Sequence, residues 1–165
     1  MRRLLIALAF LPLPAGAWTH ASDERIAQIS ARLAPPDLQL IIHRNEKDFA
    51  RGLQLALADK GPIHGTNLRQ SIERETRTIV MMIRGNQPMN VVVEHLGILA
   101  HLVGDANNPM YVPSAIDLQP SRGDFESYLE SVLPRIPTVF YGVEGRLQLT
   151  TYLDRVFSRT AHFMP

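Results

Sequence analysis

The sequence contains no cysteine. Disulfides are excluded, and so is any thiolate metal site, so a metal bound by this chain must be held by nitrogen and oxygen ligands. An excess of charge of one sign is also lacking. Seventeen Lys and Arg against sixteen Asp and Glu leave a formal charge of +1, which gives no long-range attraction for a polyanion. Aromatic residues make up 7% of the chain, with one tryptophan and four tyrosines. Strong nucleic-acid binding, which uses basic grooves and stacking rings, has little to build on here. The apolar run near the N-terminus is too short to span a bilayer, and no later stretch is apolar enough to do so. There is no internal repeat, low-complexity tract or convincing hairpin pair.

What is present begins at the N-terminus. Arg2 and Arg3 precede a short apolar run over residues 4–12, and Ala15-Gly16-Ala17 is a small-residue site of the A-x-A kind. This is the pattern of a secretory signal peptide. Residues 1–17 are therefore expected to be removed by cleavage between Ala17 and Trp18. Residues 18–165 would then form one periplasmic or secreted domain, without a transmembrane segment and large enough for a substantial core.

The remainder reads as an all-α single domain. Ser22-Asp23-Glu24 opens a helix with Ile26, Ile29 and Leu33 at helical spacing, closed by Pro35-Pro36. Residues 38–42 form a second helix or an apolar turn. Residues 48–57, with Phe49, Leu53 and Leu57, give a third helix, and Gly61-Pro62 marks a break. Asn67 is placed to cap a long helix carrying Ile72, Ile79, Val80 and Ile83 and ending at Gly85. Pro88 starts a helix that reaches Asp105. Its Val91-Val92-Val93 could pass for a strand, but the continuation through His95, Leu96, Leu99 and Leu102 favours a buried helix. Residues 107–123 read as a loop, 125–133 as a short helix, 134–137 as a break and 144–163 as a last helix.

The most informative segment is His101-Leu102-Val103-Gly104-Asp105, followed by Pro109. It sets an imidazole and a carboxylate one helical turn apart on one face of an apolar helix. Such a pair is either a hydrogen-bonded core couple or two ligands converging on a metal such as zinc. If cleavage makes Trp18 the first residue, its free α-amine and carbonyl can close a five-membered chelate, with His20 two residues later. His95, six residues before His101, lies off that face and reads as supporting or structural. His43 and His162 carry no spacing signal.

With Trp18, His20 and the motif His101-x-x-x-Asp105-x-x-x-Pro109, the chain resembles the zinc-dependent phospholipase C and single-strand nuclease superfamily. These are secreted all-helical proteins with a mature N-terminal tryptophan and up to three zinc ions. The resemblance spans about Trp18 to Tyr128. It implies that Trp18 and His20 hold one zinc, that Asp59, His64 and His101 hold a second, and that Asp105 bridges the two. Asp59 and Asp105 are then the candidate catalytic carboxylates. Two zinc ions sharing a carboxylate would activate water for attack on a phosphodiester.

The chain also departs from the family pattern. The Asp59–His64 spacing is shorter than in well-known members. The histidine expected six residues after the bridging aspartate is Tyr111, and the His-x-x-x-Glu of the following helix reads Arg122-Gly-Asp-Phe-Glu126. A third zinc would therefore keep Glu126 alone, so one or two zinc ions are expected. Arg122 has no lone pair to offer a metal, but its charge can replace the lost cation beside Glu126 or a phosphate. Tyr111, Arg122 and Glu126 become candidate substrate-binding residues, although Arg122 and Glu126 also fit an ordinary surface ion pair. Two functions follow. One is a phospholipase C-like hydrolase of a small phosphodiester or phospholipid head group. The other is a catalytically weak or inactive metal-stabilised domain that binds a phosphate-containing ligand or a protein.

Overall fold

A computed structural model of the chain describes residues 20–58, 67–111, 122–136 and 147–162; at His20, Tyr111 and Arg122 it describes the backbone alone. The helix begun by Pro88 is the one around which the rest is arranged. Seven α-helices occur among the described residues: α1 His20–Leu33, α2 Pro36–Arg44, α3 Glu46–Ala58, α4 Leu68–Arg84, α5 Met89–Ala106, α6 Arg122–Val132 and α7 Leu149–His162. No strand occurs among them. Helix α5 packs on α1, α2, α3, α4 and α7, which makes one all-α domain.

Prolines set several of the boundaries. Pro35 and Pro36 separate α1 from α2, and Gln39 Nε2 donates to the Arg32 and Ala34 carbonyls at 2.9 and 2.6 Å, satisfying the end of α1. Residues 38–42 are thus helical and not an apolar turn. Pro88 stands at the N-cap of α5, its carbonyl accepting from Val91 and Val92 at 3.0 and 3.2 Å. The β-branched run is helical because Val92 and Val93 are buried there; tertiary burial outweighs their modest helix propensity. At the other end Asn107 Nδ2 donates to the Val103 carbonyl at 2.8 Å and Thr160 Oγ1 of α7 donates to the Ala106 carbonyl at 2.9 Å. Two of the carbonyls at this helix end are thereby satisfied.

Several helix limits differ from the sequence reading, α1 beginning at His20 and α3 at Glu46, each two residues early. Helix α7 starts at Leu149, not 144, because Leu147 and Gln148 are not helical. Helix α6 begins at Arg122, three residues early. Helix α4 closes at Gly85 as the sequence indicates, and the turn beyond it uses Asn86, at φ 52°, as its left-handed residue while Gly85 stays at φ −85°. Asparagine tolerates this region better than other residues with a side chain.

Helix α5 divides the apolar interior. Leu102 and Ala106 join Leu68, Ile72, Leu153 and Val156 from α4 and α7. Val93 joins Ala27, Phe49 and Leu53 from α1 and α3. On the second side α3 and α5 meet backbone to backbone at Gly52 and Gly97. A β-carbon on Gly52 would overlap the Glu94 carbonyl and lie 3.1 Å from the Gly97 Cα. A β-carbon on Gly97 would overlap the Phe49 carbonyl. Arg51 bridges the same crossing, bonding to Glu94 of α5 and, at 2.8 Å, to Asp48. The Glu94 hydrogen bond holds the Arg51 guanidinium above its ordinary pKa. Arg69 ties α4 to α7 through Asp154 at 2.5 Å.

Candidate functional site

His101 and Asp105 stand one turn apart on α5 and are 1% and 0% exposed. A buried imidazole and carboxylate need partners, and α1 supplies one. Asp23 Oδ2 lies 2.9 Å from His101 Nδ1, a contact between residues 78 positions apart. Asp23 is itself buried, with Ser22 beside it. On the other side of the ring, His101 Nε2 faces Asp105 Oδ2 at 3.4 Å. The three residues form a line from carboxylate through imidazole to carboxylate.

The contacts are compatible with two proton arrangements: a ring carrying both protons donates to Asp23 and toward Asp105, and a ring with its proton on Nδ1 turns the Nε2 lone pair toward Asp105. The 3.4 Å separation is close to the edge of a tetrahedron with ligands about 2.0–2.2 Å from its centre, and it is equally within reach of an ion pair with a protonated ring. His101 and Asp105 offer two donors, half of a tetrahedral set, and the contact with Asp23 is of the kind that fixes the orientation of a ligating ring.

After α5 the chain turns sharply. Asn108, fully buried, accepts the Met110 backbone N–H on its Oδ1 at 2.9 Å, and Pro109–Tyr111 forms a 3-10 turn. Pro109 thus follows the helix end as the motif implied.

Of the residues singled out in the sequence, His101 and Asp105 come together. His20 is the first residue of α1, one turn before Asp23. Glu126 lies half-buried on α6, which packs against α1. Residues 1–17, Trp18, Asp59 and His64 lie outside the described residues, as do the side chains of His20, Tyr111 and Arg122. Among the described residues no group of three or more acidic or histidine side chains is arranged to hold a metal ion by itself. His95 pairs with Glu75 of α4 at 2.5 Å, which gives it a structural partner away from His101. His43 and His162 are exposed.

Asp23 was missed in the sequence, where it read only as an acidic helix opener. The apolar positions Ile26 and Ile29 of α1 are half-exposed, and Ser22, Asp23 and Ala27 are the buried ones. The available signal was positional: Asp23 falls one turn after His20 and one turn before Ala27, on a face of small residues that allows close approach. Two surface clefts of about 540 and 480 Å³ border α2, and neither is lined by His101 or Asp105. Comparisons with protein-family models, curated proteins and solved structures gave no match.

Proposed function

We propose that the chain is an exported, zinc-dependent phosphodiester hydrolase of the phospholipase C and single-strand nuclease type. In this reading the helical fold is of that type, and His101 and Asp105 form the fixed half of the metal site. The observation that carries it is the 3.4 Å gap between His101 Nε2 and Asp105 Oδ2, with Nδ1 engaged by Asp23. Trp18, His20, Asp59 and His64 are the proposed remaining ligands, and removal of residues 1–17 would free the Trp18 amine. Zinc in such a site supplies Lewis acidity and activates water toward a phosphodiester. The chain's own contribution is orientation: Asp23 holds the ring, and α5 holds ring and carboxylate in register. Tyr111, Arg122 and Glu126 are proposed to receive the phosphate, with arginine's fork suited to its oxygens.

A second reading, a metal-stabilised domain without turnover, draws on burial. A catalytic zinc keeps a coordination position open to water, whereas a structural one is closed, and His101 and Asp105 are almost wholly enclosed. The test is zinc content together with hydrolysis of bis(p-nitrophenyl) phosphate by the exported protein. One or two zinc ions per chain and a turnover abolished by Asp105→Asn are expected. Zinc held without turnover would select the second reading. A protein that takes up no zinc, with a melting curve unmoved by chelator, would sink both.

A further inference from the structure

The hairpin between α4 and α5 projects an apolar tip. From Val80 to Asn90 every residue but Met82 is exposed, and Val80, Met81, Ile83 and Met89 are among the large apolar side chains left uncovered, Met81 at 72%. Such a cluster on one protrusion marks an interaction site more readily than scattered apolar residues do. Its charge is one-sided. Residues 76–93 hold no aspartate or glutamate, and they hold Arg77 and Arg84. Arg74, Arg77, Met81 and Arg84 recur at three- and four-residue steps along one face of α4. The nearest acids are paired: Glu75 with His95, Glu94 with Arg51, and Glu73 with Arg69 at 3.3 Å and with Arg77 at 3.4 Å, so the cation nearest the turn is Arg84.

We propose that this tip is a membrane-docking element. It inserts Met81, Ile83 and Met89 into the interfacial layer of an anionic bilayer and sets Arg84 against lipid phosphates. Apolar side chains flanked by cations suit such a layer, where burial and electrostatic attraction add. No helix among the described residues is long and apolar enough to cross a membrane, so the association is peripheral. A second copy of the chain fits less well, since a standard stable interface uses about 20–30 residues a side and the tip offers four apolar side chains. A protein partner would need a pocket shaped to a convex tip, which a fluid bilayer does not. His101 follows Met89 by twelve residues, about 18 Å along α5 at 1.5 Å per residue, so docking leaves the candidate metal site clear of the surface. The proposal is independent of the hydrolase reading.

Flotation of the full chain with vesicles decides it. Equimolar phosphatidylcholine–phosphatidylglycerol vesicles are expected to carry the protein, and pure phosphatidylcholine vesicles to carry much less. Met81→Asp should reduce flotation about tenfold or more, and Arg84→Gln on the order of fivefold. All variants share the same N-terminal residues, so the apolar run at 4–12 cannot produce the difference. Met89→Ser, also exposed, provides a second variant, and circular dichroism checks that each is folded. The proposal is overturned if the wild type ignores anionic vesicles, if it binds neutral ones equally well, or if Met81→Asp floats like the wild type. It is equally overturned if Met81→Asp merely converts a dimer to a monomer while vesicle binding is unchanged.

Discussion

Gly97→Ala tests the central packing feature of the fold. In a helix interior, alanine ordinarily gains about 0.5–1 kcal/mol over glycine. At Gly97 the new methyl would overlap the Phe49 carbonyl and lie 3.0 Å from the Leu53 amide nitrogen. Both obstacles are backbone atoms of α3, so no side-chain rotation relieves them and the helix itself must shift. Overpacking of a tight interior costs about 1–3 kcal/mol, occasionally more. A shift of α3 also loosens Phe49, Leu53 and Val93, side chains whose full burial contributes about 1.5–3 kcal/mol each. Taking the upper part of the overpacking range and subtracting the helix gain leaves a net loss of about 2 kcal/mol. Urea unfolding should show a lower midpoint with an unchanged slope, and the melting temperature should fall by about 4–8 °C for a domain of this size. Gly123→Ala is the control. Gly123 lies in the first turn of α6 with nothing within 4 Å of the added carbon, so this change should leave stability unaltered or raise it by up to about 1 kcal/mol. A Gly97→Ala midpoint at or above that of the wild type would refute the close crossing of α3 and α5.

Three further outcomes are expected. Asp23→Asn should weaken zinc binding about 10–100-fold in a competition titration while leaving helix content intact; an unaltered affinity would remove Asp23 from the site. Asn86→Val should cost about 1–2 kcal/mol in thermal unfolding because of its left-handed backbone, whereas Asn86→Gly should stay within a few tenths; equal effects would contradict the turn. Thr160→Val should cost about 1 kcal/mol in chemical denaturation through the loss of a buried hydroxyl shared between the Ala106 and Val156 carbonyls, and a value near zero would mean that both carbonyls are satisfied otherwise.

The parts of the fold legible in the sequence are those governed by local covalent constraint. Pro35, Pro36 and Pro88 restrict their own φ and their neighbours' conformations, so the limits around α1, α2 and the start of α5 could be read without tertiary knowledge. The end of α4 at Gly85 is legible too, while the left-handed residue of the following turn is not, since Gly85 and Asn86 both accept that backbone and local sequence does not choose between them. The start of α7 was misplaced because residues 144–148 carry no strong breaker except Gly145. Gly52 and Gly97 showed nothing in one dimension, as a glycine within a helical pattern does not announce which other helix lies against it. For the site, the His101–Asp105 couple was legible from its spacing on one helix. Asp23 was not, because burying an acid depends on a histidine 78 positions away.

That separation bears on how the molecule assembles. The hairpin of α4 with α5 joins segments adjacent in sequence, whose loop closes at modest entropic cost, and the α3–α5 crossing at Gly52 and Gly97 closes a longer one. The Asp23–His101 contact instead closes the chain between its first and fifth helices, and contacts of high sequence separation are late rewards in folding. The imidazole therefore gains its orienting carboxylate only once α1 has docked on the rest. On the proposed zinc reading, a metal bound through His101 would report a completed domain, and its uptake during refolding should follow the docking of α1.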